Sequence, residues 1–512
     1  MKRADPIADV PREVELKLHL PPGSRAILEA SSCFVGAAST QRHLVTTYFD
    51  TADGLLHGAG LTLRVRRSGD AFTQTVKSRE AGRSVASDRS EWEWPIGQDH
   101  PDPGCLAEVK ELAGIAMAID GRLQPLFVTD IRRSTQLLHL EGGTIVDAAF
   151  DEGCIVAGVG REPVSELELE LKGGHVGPLY QLAAHLHTLA PFWISPESKA
   201  TRGWRLQRGG GGGAQKAHAP TPGRNIGAVE AVHDIIGAGL GHLIANIGPT
   251  LQGDPEGLHQ MRVALRGCRA ALGLFMPYLD TVVAKGLSAE LRRFGLILGT
   301  ARDWDVFVLE TLPAAYTELS ANQFQALQHA GQQERQKATS AVKEAVQGHD
   351  FTEVILRLAC WLEAGLAKPR LFGDGCKERK ARSLVPEVLD RAASRTRKRA
   401  RHAGRLSAED RHLLRKSLKR LSYAVEHLAG PYRHRTVKTY RTRCATLQQI
   451  LGAANDAAVT GRLALGLEAD EDPVLAEAGG ALASWSNRQS RKALKGFRRA
   501  TAKLSGARRF WD

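Results

Sequence analysis

Glu13-Val14-Glu15-Leu16-Lys17-Leu18 alternates a charged side chain with an apolar one at every step. Successive side chains on a β-strand point to opposite faces, so Glu13, Glu15 and Lys17 share one face and Val14, Leu16 and Leu18 the other. The same period returns in Leu61-Thr62-Leu63-Arg64-Val65-Arg66, Thr73-Gln74-Thr75-Val76-Lys77, Arg89-Ser90-Glu91-Trp92-Glu93-Trp94 and Glu166-Leu167-Glu168-Leu169-Glu170-Leu171-Lys172. Strict alternation predicts strands. Ala52-Asp53-Gly54 and Asp151-Glu152-Gly153 read as turns between such runs, and residues 179–189 as a short helix.

One strand with a charged face needs only water on that face. The set asks for more, because both signs of charge recur at close spacing opposite faces of Val, Leu and Trp. If the strands wrap with the charges inside, carboxylates lie beside Arg and Lys, and charges buried at that density need partners or metal. A polyphosphate held through divalent cations supplies both: carboxylates hold hard cations, and Arg and Lys hold phosphate oxygens.

Beyond residue 208 the pattern changes. Five glycines occupy 209–213, and alanine, proline and polar residues continue to 224, a composition that predicts a flexible linker. From there apolar residues recur at helical spacing, as in Leu258, Met261, Leu265 and Leu272. Two motifs repeat at an offset of 153 residues: His259-Gln260-Met261-Arg262 with His412-Leu413-Leu414-Arg415, and Leu298-Gly299-Thr300-Ala301-Arg302-Asp303 with Leu451-Gly452-Ala453-Ala454-Asn455-Asp456. Two matches at one offset imply a duplicated helical unit.

Residues 1–213 carry 23 basic and 27 acidic side chains, whereas 214–512 carry 46 basic and 29 acidic, so the second half is built to meet a polyanion. His259, Arg262, Arg266 and Arg269 fall on one helix face, and His412, Arg415, Lys416, Lys419 and Arg420 nearly repeat it. Such a face is also compatible with plain solvation. Like charges at this spacing destabilise a helix, however, and their recurrence in both copies implies a ligand that offsets the cost. The two histidines would strengthen binding as pH falls through roughly 6.5. Asp303 is expected to hold an arginine inside the helices. The basic run 391–405 reads equally as a solvated helix or a loop.

The N-terminal half resembles the CYTH domain, the triphosphate tunnel metalloenzymes. Glu13-Val14-Glu15-Leu16-Lys17 matches its ExExK signature, followed in order by Tyr48-Phe49-Asp50-Thr51, Leu63-Arg64-Val65-Arg66, Thr75-Val76-Lys77, Arg89-Ser90-Glu91, Thr129-Asp130-Ile131-Arg132-Arg133, Asp151-Glu152-Gly153, Glu166-Leu167-Glu168-Leu169-Glu170 and Ser198-Lys199-Ala200-Thr201-Arg202-Gly203. Bacterial inorganic triphosphatases of this family are the nearest likeness. The resemblance implies an eight-stranded antiparallel closed barrel over 8–207. It implies Glu13, Glu15, Glu166 and Glu168 as ligands of Mg²⁺ or Mn²⁺, with Asp151 and Glu170 in support. It implies Lys17, Arg64, Arg66, Lys77, Arg89, Arg133, Lys199 and Arg202 as phosphate holders, Arg133 being preferred to Arg132 by motif spacing. Lys77 and Glu91 both stand as candidates for the general base.

The second half, 225–507, resembles the CHAD domain through His259-x-x-Arg262, Arg302-Asp303-x-Asp305, His412-x-x-Arg415-Lys416 and Leu447-Gln448-x-x-Leu451-Gly452-x-x-Asn455-Asp456. It implies paired four-helix bundles with a polyphosphate-binding surface, within an α+β two-domain chain joined by the 208–224 linker. The expected activity is metal-dependent hydrolysis of inorganic triphosphate beside polyphosphate binding. A non-catalytic polyphosphate-binding protein and an adenylate cyclase-type use of the tunnel are the alternatives. Helix-turn-helix, RRM and zinc-finger signatures are missing, so nucleic acid is not the expected partner. Seven scattered cysteines without a CxxC pair argue against a disulfide framework or zinc site. The opening residues show no apolar leader and no run approaches about 18 apolar residues. The expected location is the cytoplasm, at polyphosphate granules, with no membrane partner.

Overall fold

The computed structural model describes residues 12–36, 38–78, 86–208, 213–217, 220, 223, 225–367, 380–430, 432–467 and 473–512. The alternating runs form strands where their period predicts them. They are β1 (Arg12–His19), β2 (Ser39–Thr51), β3 (Leu61–Ser68), β4 (Ala71–Ser78), β5 (Ser87–Ile96), β6 (Leu123–His139), β7 (Ile145–Ala157), β8 (Gly160–Gly173) and β9 (Trp193–Ile194). They join in one antiparallel sheet in the order β5-β4-β3-β2-β6-β7-β8-β1-β9. β1 also pairs with β5, from Arg12↔Ser90 to Glu15↔Ser87.

Two expectations change. The sheet has nine strands rather than eight, because Trp193–Ile194 adds to Leu18 and His19 of β1 and is too short to carry a period-two signal. Asp151-Glu152-Gly153 is no turn but the middle of β7. Its glycine serves a close approach: a Cβ on Gly153 would stand 1.9 Å from the Asp130 carbonyl oxygen on the neighbouring β6.

The apolar faces point away from the charged ones and are covered. Leu63, Val65 and Val76 lie in a core with Leu106, Ala116 and Ile119 of two short helices, Pro103–Ala107 and Ala113–Ile119, and with Leu112 between them. Phe127, Ile155 and Val164 gather with Trp204, and Tyr48 and Ile131, which also line the charged side, reach the same cluster. Two longer helices follow the sheet strands, α1 (Val176–Leu189) and α2 (Lys199–Arg208). Gly203 lets α2 settle on β6, since a Cβ there would meet the Phe127 ring at 2.1 Å.

Among the described residues the rest of the chain is helical: α3 (Ala228–Ala245), α4 (Pro255–Phe275), α5 (Thr281–Val306), α6 (Ala321–Gln347), α7 (His349–Ala367), α8 (Ala381–Ala400), α9 (Ala408–Leu428), α10 (His434–Gly466), α11 (Pro473–Ala493) and α12 (Phe497–Ser505). The duplication extends to whole helices, because α3, α4 and α5 begin 153 residues before α8, α9 and α10. The copies differ where α5 passes into a π-helical turn over Phe307–Thr311, while α10 runs on unbroken. By compactness the first unit comprises Met1–Gln215, Leu240–Gly257 and Val346–Cys360, and the second Lys216–Gly239, Leu258–Ala345 and Trp361–Asp512. Most of the glycine run lies outside the described residues.

One stretch, Ala228–Leu251, is long and apolar enough to cross a membrane by length and composition, which corrects the reading that none is; 67% of its most apolar window is buried inside the protein. Its small residues, Gly237, Gly239 and Gly241 among them, interrupt the apolar run and hid it from a count of consecutive residues.

Gly203→Ala is expected to lower stability by about 1–3 kcal/mol, the usual cost of overpacking. The check is a thermal melt of the purified chain, in which an unchanged midpoint contradicts the tight seat of α2 on Phe127.

Candidate functional site

The charged faces of the sheet enclose a cavity of about 440 Å³. Glu13, Glu15 and Lys17 of β1, Arg64 and Arg66 of β3, and Lys77 of β4 line it. Glu91 of β5, Arg133 of β6, Asp151 of β7, Glu168 and Glu170 of β8, and Lys199 of α2 line it as well. Arg132 is exposed, so Arg133 is the inward member of its pair. Glu166 and Arg202 are buried but are not among the lining residues. Arg202 donates to Glu162 at 2.7 Å, to Glu166 at 3.3 Å and to the Pro163 carbonyl, which anchors α2 rather than facing the cavity. Arg89 stands opposite Glu13 on β5, and its side chain lies outside the described residues.

The walls are paired. Lys77 donates to Glu13 at 2.7 Å and lies 2.9 Å from Glu91. Lys17 pairs with Glu15 and lies 3.6 Å from Glu168. Arg133 donates to Asp151 at 2.6 Å and to Glu168. Lys199, on the first turn of α2, reaches Asp151 at 2.6 Å, Glu168 at 3.1 Å and also Glu166. Asp151, Glu166 and Glu168 each offer an oxygen within 4.8 Å of the others, an all-oxygen donor set suited to a hard divalent ion. Asp151, expected only in support, belongs to this trio, whereas Glu13 and Glu15 belong to the lysine pairs.

The charges divide by partner. Burial alone would raise Glu168, yet Lys199, Arg133 and Lys17 hold its carboxyl well below the usual range. Asp151 is held down in the same way, with Lys199 and Arg133 outweighing burial. Glu166 is pushed up, chiefly by burial, with Glu168 and Asp151 adding to it against Lys199. Among the cations, burial opposes the charge on Arg64, but Tyr48 and Glu91 raise it above its ordinary value. Arg66 fares differently: Arg64, then burial, then Arg133 push it down to about 10, and its Nε has no hydrogen-bond partner. It is a buried cation short of negative charge.

In the second unit α4 and α9 lie side by side, with a Cβ on Gly267 placed 3.0 Å from the Tyr423 ring. Their basic faces meet in one groove, where Arg262 and Arg266 of α4 act on Arg415 and Lys419 of α9. Asp303 holds an arginine as expected, Arg262 at 3.3 Å, though half-buried rather than inside the helices, and in the second copy Arg415 lies 3.8 Å from Asp456. Arg266 and Lys419 form no ion pair among the described residues. Desolvation in the groove, then Arg262 and Arg415, lower Arg266 to about 10. Desolvation, then Arg266, Arg415 and Arg262, bring Lys419 to about 7, against the pull of Asp456. His412 and Lys416 are exposed on α9, and His259 is half-buried on α4. Desolvation, then Lys416, lower His412 below its ordinary value.

Residues 11–204 match the model of the CYTH domain and residues 234–465 that of the CHAD domain. The chain is a CYTH domain followed by a CHAD domain. It is 30% identical over 205 residues to an inorganic triphosphatase of Haemophilus influenzae, a match covering 38% of this chain and 55% of that relative, so it spans about half the relative's length. A CHAD domain structure from the plant Ricinus communis aligns with TM-score 0.52 and 29% identity, covering 58% of this chain and 98% of that one. PptA from Streptomyces chartreusis aligns with TM-score 0.43 and 18% identity, over 54% of this chain and 99% of that one.

Sequence reasoning missed Arg42, Tyr48 and Asp147 on the wall of the CYTH cavity. Arg42 sits in Ser39-Thr40-Gln41-Arg42-His43, where no apolar residue marks the period, and Asp147 is a lone charge in an apolar run. Tyr48 was legible as part of Tyr48-Phe49-Asp50-Thr51. Within that motif Asp50 accepts from the Leu56 and His57 backbone amides and so holds a turn.

In the CHAD groove Lys419 joins the histidines as a group that titrates in this range. Its value of about 7 lies below the ordinary lysine value, so the side chain is a cation below about pH 7 and neutral above it. Polyanion affinity is therefore expected to fall as pH rises from 6 to 8, by about tenfold if one charge-assisted hydrogen bond is lost. The depressed value also means that fold stability rises with pH between about 7 and the ordinary lysine value. Filter binding from pH 6 to 8 is the check: Lys419→Met should flatten the profile, and an unchanged slope contradicts the assignment.

Proposed function

We propose that the CYTH domain hydrolyses inorganic triphosphate with Mg²⁺ or Mn²⁺ and that the CHAD domain binds inorganic polyphosphate in the cytoplasm. The observation that carries the reading is Arg66, which sits between Arg64 and Arg133 with too little negative charge around it. A cavity lined by surplus cations and by Asp151 and Glu168, with Glu166 buried beside these two carboxylates, suits a short polyanion bound together with a metal ion. The name of the Haemophilus relative supports triphosphate as that anion. On this reading the short β1–β5 ladder closes the sheet into a tunnel.

Asp151, Glu166 and Glu168 would hold the ion, which when bound neutralises phosphate oxygens and acidifies water. Arg64, Arg66 and Arg133 grip the remaining oxygens, and their fixed positions supply the electrostatic part of phosphoryl transfer. Lys77 and Glu91 divide the work at the other end. An ammonium donating to carboxylates has no lone pair to offer, so Lys77 holds phosphate and Glu91 accepts the proton. In the CHAD domain the pairing of Arg262 and Arg415 with aspartates orients the groove, while Arg266 and Lys419 are left for the anion.

The test is phosphate release from triphosphate and from ATP, with and without Mg²⁺ or Mn²⁺. Asp151→Asn and Glu168→Gln are each expected to reduce turnover of triphosphate at least about 100-fold, the scale seen when one electrostatic contributor is removed. Wild-type turnover in both variants, or turnover unaffected by chelation, would sink the metal assignment. Conversion of ATP to a cyclic nucleotide and pyrophosphate, in place of phosphate release from triphosphate, would favour the nucleotide cyclase alternative.

A further inference from the structure

The CHAD groove does not end at Lys419. Arg262, Arg266 and Arg269 stand four and three residues apart on one face of α4, and the seven residues from Arg262 to Arg269 carry that face about 10 Å along the helix. At its far end the charged neighbours of Arg269 are Arg292 of α5 and Arg420 of α9, and its Nε is buried without a hydrogen-bond partner. Arg420 lies against α4, its guanidinium carbon 3.8 Å from where a Cβ on Gly273 would stand. Beyond it the neighbours are Arg395 and Arg399 of α8, four residues apart and both exposed.

None of these five arginines forms an ion pair among the described residues. The carboxylates of α8 that would neutralise them are engaged elsewhere. Glu387 accepts from the Tyr278 hydroxyl at 2.6 Å, and Asp390 accepts from Arg509 and from the Trp511 indole, each at 2.9 Å. A folded protein gains nothing from lining up unneutralised guanidiniums across four helices, since like charges at this range repel. Their common ligand must be anionic and long enough to reach beyond the central groove.

We propose that Arg269, Arg292, Arg420, Arg395 and Arg399 continue the groove as a second anion track, so that the CHAD domain prefers long polyphosphate chains to short ones. The inference rests on the polyphosphate reading above and adds to it the length of the ligand. A chain of few phosphates fills the central groove alone. A longer one also neutralises the outer track and releases more counterions, so its binding is tighter and more sensitive to salt.

The experiment is a binding series on the full chain in EDTA, using inorganic polyphosphates of graded length and several salt concentrations, with wild type, R395A/R399A and R395K/R399K. Wild-type affinity should keep rising with length after the central groove is filled. R395A/R399A should match wild type on the shortest chains and bind the longest about tenfold more weakly. Its log–log salt slope should be shallower by roughly 1.4, about 0.7 for each phosphate left unneutralised on a flexible polyanion. R395K/R399K, which keeps both charges, should stay within about twofold of wild type. Equal weakening at every length, or none at the longest, overturns the second track. Wild type binding no polyphosphate of any length overturns the polyphosphate reading itself, a result that the variants cannot mimic.

Discussion

Everything in the first unit follows from turning the charged face of a β-sheet inward. Arg133 and Lys199 are locked to Asp151, Glu166 and Glu168 inside the walls. Breaking one member of such a buried network typically costs about 3–5 kcal/mol, because the remaining charge is left without a partner. The inversion also sets a demand on the outside. The apolar faces of β3 and β4 would lie in water, and the helices Pro103–Ala107 and Ala113–Ile119 cover them. The α2 helix meets both demands at once, packing Trp204 among Tyr48, Phe127 and Val164 on one side and sending Lys199 into the carboxylates on the other.

The second unit solves the opposite problem. Its helices are held by ordinary apolar packing, with Met261, Leu265, Leu272, Leu414, Leu418 and Leu421 buried. Charge of one sign is gathered on the faces left over. Among the described residues Arg262 and Arg415 have aspartate partners there, and these fix side-chain position without neutralising the groove. Desolvation and the neighbouring arginines accordingly lower Arg266 and Lys419 below their ordinary values.

Much of this was legible in the residues. Period-two alternation placed β1, β3, β4, β5 and β8, since polar or charged side chains alternate there with mainly apolar ones. The 153-residue echo found the duplication, because both copies keep the same helix starts. Depth was harder to read. Glu166 and Glu168 are two apart on one strand face, yet only Glu168 lines the cavity, because Arg202 and Lys199 of α2 close over Glu166. Partner choice was equally invisible: no local pattern shows that Glu13 and Glu15 answer to lysines while Asp151 joins the carboxylate trio. Asp151-Glu152-Gly153 has turn composition, and only the neighbouring strand explains its glycine. The π-helical turn at Phe307–Thr311 likewise has no sequence mark, since the equivalent stretch of α10 stays regular.

The duplication bears on what the groove can perceive. Arg262 with Asp303 and Arg415 with Asp456 face it as equivalent halves, one from each copy. At these two pairs a strand meets the same kind of contact from each copy, in whichever direction it is threaded. Nucleic acids and polypeptides have such a direction, and half of the ways of laying them in the groove would be mismatched. A linear chain of identical phosphates reads the same from either end, so every approach is a correct one.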